Sequence, residues 1–129
     1  MSRFVVLAIN SFNHIENKTG NMLIRYQPDK VVAVIDPFKE GQTAEEVLGW
    51  GGSIPCVKTF MDAKKFSPTH LVVGNAPPGG ILDKKSRIEI QIAIQNGCDI
   101  ISGMHSFLND DPKLYHDSIK KNVNLIDLR

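Results

Sequence analysis

Short unbroken apolar runs recur along this chain, with segments carrying helix-capping signals between them. Residues 4–9 (Phe-Val-Val-Leu-Ala-Ile) and 31–36 (Val-Val-Ala-Val-Ile-Asp) lack the alternation of polar and apolar positions seen in strands that face water on one side. A strand without alternation is covered on both faces, as in a parallel sheet. Parallel neighbours cannot be joined by a tight turn and need a crossover, usually a helix. The pattern therefore selects a layered α/β fold.

Further apolar runs at 54–57, 71–73, 99–103 and 123–128 bring the strands to about six. Between them, a helix is expected over 22–26. Thr43 with Glu46 forms a capping box opening a second helix, which Gly49 stops, and Thr59 with Asp62 caps a third that Ser67-Pro68 ends. Asp111-Pro112 places an N-cap before a first-turn proline, and Lys120-Lys121 suits the C-terminus of that last helix.

The ambiguous segment is 88–94, Ile-Glu-Ile-Gln-Ile-Ala-Ile, which alternates with period two and runs into Asn96-Gly97, a strong hairpin dipeptide. Read locally it is a β-hairpin. Asp83 is nevertheless a good N-cap, Gly97 serves equally after a helix C-terminus, and the parallel sheet demands a crossover here. A helix over about 84–96, buried on two sides, is the consistent reading. The fold expected is a three-layer α/β sandwich with a Rossmann-like, mostly parallel sheet of about six strands.

The run 71–73 ends abruptly in Gly74-Asn75-Ala76-Pro77-Pro78-Gly79-Gly80. Pro77 and Pro78 have no N–H, so the next free donors belong to Gly79, Gly80 and Ile81. Glycine removes the Cβ that would hold a ligand away from those amides. A strand, a glycine turn and a helix N-terminus is an arrangement that binds phosphate or carboxylate, though it also serves as a plain structural turn. Ligands of such sheets bind beyond the carboxyl ends of the strands. That edge gathers Asn10, Lys18, Asp36, Asn75, Gly79, Gly80 and His105.

Lys18, Thr19 and Arg25 are candidates for phosphate or carboxylate binding, and equally readable as ordinary solvated side chains. Lys18-Thr19 has the ending of a phosphate-binding P-loop, but the positions that require glycine hold Asn17 and Phe12, which excludes that motif. Asp36, at the tip of the second strand, is placed where a ribose hydroxyl could be bound, without the glycine fingerprint that normally accompanies it. His105 follows the fifth strand and suits either a general base for an amine nucleophile or a loop-ordering role. His14, His70 and His116 read as surface or strand-start residues, and Trp50 as half-exposed or packed against a partner.

One domain of 129 residues with a net charge of +1 offers no electrostatic support for a nucleic-acid partner. No apolar run approaches the roughly 18 residues of a membrane span, so no membrane is expected. Cys56 and Cys98 read as buried free thiols of a cytoplasmic protein. No His, Cys and carboxylate spacing resembles a metal site.

Lys18-Thr19-Gly20, Ile24-Arg25-Tyr26, the run 31–36, Ala76-Pro77-Pro78-Gly79-Gly80, the segment from Ser102-Gly103 through His105 to Leu108, and Asp127-Leu128-Arg129 resemble, in that order, the N-terminal Rossmann-like domain of the family grouped with D-glutamate N-acetyltransferases. The resemblance implies acetyl transfer from acetyl-CoA to the amino group of D-glutamate in a protein with a C-terminal P-loop domain. The stretch from Ile54 to Gly97 also resembles, more loosely, the CoA-binding domain of succinyl-CoA synthetases. Acetyl-CoA or a nucleotide is thus the expected ligand, with Pro78, Gly79 and Gly80 at its phosphates. Two readings stand: a small-molecule-binding domain contributing to acetyl transfer, inactive by itself, or a non-catalytic ligand-binding or oligomerisation module, compatible with a homo-oligomer.

Overall fold

The computed structural model describes residues 2–74, 82–102 and 108–127. Six strands form one sheet: β1 (Phe4–Leu7), β2 (Val31–Ile35), β3 (Cys56–Val57), β4 (His70–Val73), β5 (Asp99–Ser102) and β6 (Leu125–Asp127). Every pairing is parallel, in the order β3-β2-β1-β4-β5-β6. The helices are α1 (Lys18–Tyr26), α2 (Ala44–Leu48), α3 (Phe60–Ala63), α4 (Lys84–Gln95) and α5 (Pro112–Lys121).

The unbroken apolar runs are explained by two separate cores. Successive side chains of a strand point to opposite faces. Val5 and Leu7 of β1 therefore pack with Ala33, Ile35, Leu71 and Val73 beneath Phe60 and Ala63 of α3, Ile90, Ala93 and Ile94 of α4, and Leu114 of α5. Val6 and Ala8 point the other way, to Ile24 of α1 and to Ala44 and Leu48 of α2. The α/β sandwich is as expected, and its sheet is wholly parallel.

The capping signals at Thr43, Thr59 and Asp111 form as read, with both capping boxes complete. The ambiguous segment is helical over Lys84–Gln95, with Asn96 as its C-cap, and Gly97 at φ +83° closes it. Cys98 N–H donates to the Ala93 carbonyl and Gly97 N–H to that of Ile94, which is the Schellman pattern. The expectation that this helix is buried on two sides needs correction. Its buried residues are Ser86, Glu89, Ile90, Ala93 and Ile94, one face at helical spacing, while Ile88 is 43% exposed.

Three boundaries also differ. α1 starts at Lys18 rather than residue 22, because the Asn17 carbonyl already accepts the Asn21 N–H at 2.7 Å. β3 is reduced to two residues: Pro55 cannot donate to the ladder, and the chain there bridges antiparallel to Thr43 instead. Among the described residues β6 covers Leu125–Asp127 and starts two residues late, since the Val123 N–H is taken by the Ser118 carbonyl at the end of α5.

Both cysteines are free and buried. Burial, with Asp36 nearby, pushes the Cys56 thiol up to about 12, and burial with Asp99 pushes Cys98 up to about 11, so neither carries thiolate at neutral pH.

Candidate functional site

Strand order reverses between β1 and β4, so the helices that follow these two strands leave on opposite faces of the sheet. The carboxyl edge at that point is where open α/β sheets receive ligands. Here it is built around Asn17, which is fully buried. Glycine at two distant positions makes room for its amide. A Cβ at Gly74 would lie 1.9 Å from Asn17 Oδ1, and one at Gly20 would lie 2.6 Å from the same atom. Asn21 donates an amide N–H to the Asn13 carbonyl at 2.7 Å, and its Oδ1 accepts from Asn17 Nδ2 at 2.9 Å. This relay fixes the direction of both amides and leaves Asn17 Oδ1 buried without a donor. Ser11 Oγ, in the same β1–α1 loop, is likewise buried and unpartnered. Asn17 gives α1 no side-chain cap, and the first turn of α1 holds no acidic residue.

Asp36 occupies the tip of β2 as expected, but its carboxylate is turned to the protein's own backbone. Oδ1 accepts from the N–H groups of Asn10 and Phe38, and Oδ2 from that of Phe12, at 3.0 to 3.2 Å. At 1% exposure it has no open face for a ribose hydroxyl, which corrects the binding role read from its position. It orders the loop that carries Asn10, whose φ of +55° a non-glycine residue adopts only when held.

Past the carboxyl ends of β1, β2 and β3 lies a hollow of about 240 Å³, lined by Ile9, Pro37, Lys58, Thr59, Lys85, Ile88 and Glu89. Lys58 and Lys85 are exposed at it. Glu89 is buried and accepts the Phe60 N–H at 2.8 Å, which caps α3 from α4. Burial raises its carboxyl above the ordinary value, the Phe60 amide opposes this, and Asp62 adds to it.

Lys18, the first residue of α1, and Arg25, in its last turn, are brought to one hollow. They line a second hollow of about 320 Å³ with His14, Asn21, Met22 and Trp50. Thr19 is exposed in the first turn of α1. Asn75, Pro78, Gly79, Gly80 and His105 lie outside the described residues. His14, Trp50, Lys58, Lys85 and Glu89 were not read as site residues in the sequence. Nor was Asn17, although the four-residue spacing of Asn13, Asn17 and Asn21 beside Gly20 is its signal. Among the described residues no group of three His, Cys, Asp or Glu could hold a metal, and no helix is long and apolar enough to cross a membrane.

Comparison with known proteins agrees with the Rossmann-like fold. Residues 37–129 match a family described as Domain of unknown function (DUF1611_N), Rossmann-like domain. A D-glutamate N-acetyltransferase from a Pseudoalteromonas species is 43% identical over 71 residues, which are 55% of this chain and 21% of that protein. The crystal structure of a DUF1611 family protein from Anabaena variabilis is similar with a TM-score of 0.89 at 34% identity, over 99% of this chain and 36% of that one. The chain thus spans about a third of the solved relative's length. The match over residues 37–129, together with that likeness along 99% of the chain, establishes that it belongs to the DUF1611_N family of Rossmann-like domains.

Proposed function

We propose that this chain is the ligand-binding domain of a D-glutamate N-acetyltransferase-like protein, and that it holds the phosphates of acetyl-CoA or of a nucleotide at the carboxyl edge of its sheet. The observation that carries this reading is the hollow beyond β1, β2 and β3, which Lys58 and Lys85 line together with apolar Ile9, Pro37 and Ile88. An acyl-CoA or nucleotide needs both features, cations for its phosphates and an apolar surface for its ring or chain. The sequence Pro78-Gly79-Gly80 is the expected further source of amide donors, and His105 the expected base for the attacking amine.

In the transfer, the amino nitrogen of D-glutamate attacks the thioester carbonyl, its proton passes to a base and the CoA thiol leaves. The partial relative's name supports that reaction class, and it belongs to the whole protein rather than to this domain. A C-terminal P-loop domain completes the site in this reading. Ile88, 43% exposed, lines the hollow, and Phe38, 67% exposed, follows Pro37 of its lining, as apolar surface that such a domain would cover. Two protonated, buried thiols suit the reducing cytoplasm, where acetyl-CoA is available.

The test is a thermal-shift panel of acetyl-CoA, CoA, ATP, NAD and D-glutamate on this chain. At a hundredfold excess over Kd, a true ligand adds about 2.7 kcal/mol, a rise of roughly 10 °C for a domain of this size. Acetyl-CoA or ATP should produce it, and Lys85→Glu should weaken binding about tenfold, which roughly halves the rise at the same ligand concentration. No shift with any phosphate-bearing ligand, or a shift unaffected by Lys85→Glu, contradicts the reading.

A further inference from the structure

Trp50, just beyond α2, lines two hollows on the α1 side of the sheet, and the larger, of about 540 Å³, also takes in Arg25, Pro28 and Asp29. The smaller, of about 320 Å³, is lined by His14, Lys18, Asn21, Met22, Arg25 and Trp50, and shares no residue with the carboxyl-edge hollow. Lys18 and Arg25 stand two helical turns apart on α1, and so share one face. No carboxylate lines this hollow, and neither cation has an ion-pair partner among the described residues. The Arg25 Cζ sits 5.4 Å from the Trp50 ring centroid. A guanidinium held against an aromatic ring keeps N–H groups that can grip carboxylate or phosphate bidentately.

The wall itself is held in place. His14 Nε2 lies 2.7 Å from the Leu48 carbonyl, so this nitrogen carries the hydrogen and donates it. That bond sets the imidazole against the edge of Trp50, with centroids 5.4 Å apart at 61°. The indole N–H of Trp50 is buried without an acceptor, and Met22 is 56% exposed at the rim. Two uncompensated cations over an ordered aromatic and thioether wall are a different environment from that of two solvated surface charges.

We infer that this hollow is a second ligand site, for a small molecule that carries a planar ring and an anionic group. The ring lies against Met22 and the indole, and the carboxylate or phosphate accepts from Arg25 and Lys18. The inference does not rest on the carboxyl-edge reading and survives its failure.

Trp50 is the chain's one tryptophan, so intrinsic fluorescence reports on this hollow directly. The protein is titrated with benzoate and with adenosine monophosphate, which join a ring to an anion, and with inorganic phosphate and adenosine, which separate the two. The expected result is a saturable change with a ring-bearing anion, and at most a much weaker one with either half alone. Arg25→Met keeps the apolar stem, removes the fork and should weaken binding about tenfold or more. Arg25→Lys should recover only part of the loss, and Lys18→Gln, on an exposed helix position, should weaken binding several-fold. Melting curves establish that each variant is folded. The inference is overturned if neither ring-bearing anion gives a saturable change, or if folded Arg25→Met and Lys18→Gln both bind as the parent does. It is equally overturned if Trp50 emission follows protein concentration in step with a sedimenting dimer, which would make this face an interface between copies.

Discussion

Asn17 shows how one buried side chain ties distant glycines together. Gly74→Ala would drive a Cβ into the Asn17 amide, and we expect a loss of about 2 to 3 kcal/mol in denaturant unfolding. Asn17→Ala empties the same space, so the double variant should cost clearly less than the sum of the two singles. Additive losses would show that Gly74 is needed for another reason. Glu89 offers a second test at this scale. Its folded carboxyl is raised by burial, so its contribution to stability is present below the ordinary value of 4.5 and is lost as pH rises through the folded value. Glu89→Gln keeps an oxygen for the Phe60 N–H and carries no charge to desolvate. Relative to the parent, its stability should therefore improve between acid and neutral pH, and an unchanged difference in pH-dependent melts would contradict this. Neither residue was legible in the sequence as a site residue. Asn17 acquires its place only through Gly74, more than fifty positions away, and Glu89 reads as a solvated helix charge until α3 is docked against α4.

At the scale of elements, α4 is decided by competition between local pattern and topology. Ile88, Ile90, Ile92 and Ile94 alternate like a strand, yet the buried face runs through Ser86, Glu89, Ile90, Ala93 and Ile94. Two polar residues on that face hide the helical period from a count of apolar positions. The caps remain legible because they are local: Asp83, Gly97, Thr43, Thr59 and Asp111 act within four residues of themselves. Asp111 does two jobs. It accepts the N–H groups of Lys113 and Leu114 and grips Arg87 in a two-pronged pair at 2.9 and 3.0 Å, linking α5 to α4. The Arg87 hydrogen bond first, and the cap amides with it, hold the Asp111 carboxyl below its ordinary value despite partial burial. Its stabilisation is therefore present above the unfolded carboxylate value of 3.8 and is lost as pH falls through the folded one. Asp111→Ala should cost about 2 kcal/mol at neutral pH, most of it from the cap, because a half-exposed ion pair adds at most about 1 kcal/mol. The loss should shrink towards strong acid, and a pH-independent loss would argue against the charge.

For the molecule as a whole, the apolar runs were enough to give the strands and their parallel sense, because burial on both faces leaves a direct compositional mark. The ends of β3 and β6 were not legible, since Pro55 and the Ser118–Val123 bond act through partners that become neighbours only on folding. The hollows were legible still less. Lys58 and Lys85 line one hollow only because α3 is docked against α4, and Lys18 and Arg25 share theirs with Trp50, far away in the sequence. We propose that the carboxyl edge of this sheet binds a phosphate-bearing acyl carrier or nucleotide. Its most direct test is amide chemical-shift mapping of the isotope-labelled chain titrated with acetyl-CoA and, separately, with ATP. At least one should move the amides of Lys58, Thr59, Lys85 and Ile88 in a saturable way, leaving those at the amino ends of the strands, such as Phe4 and Asp99, in place. No saturable shift with either ligand, or shifts confined to the amino edge, would contradict it.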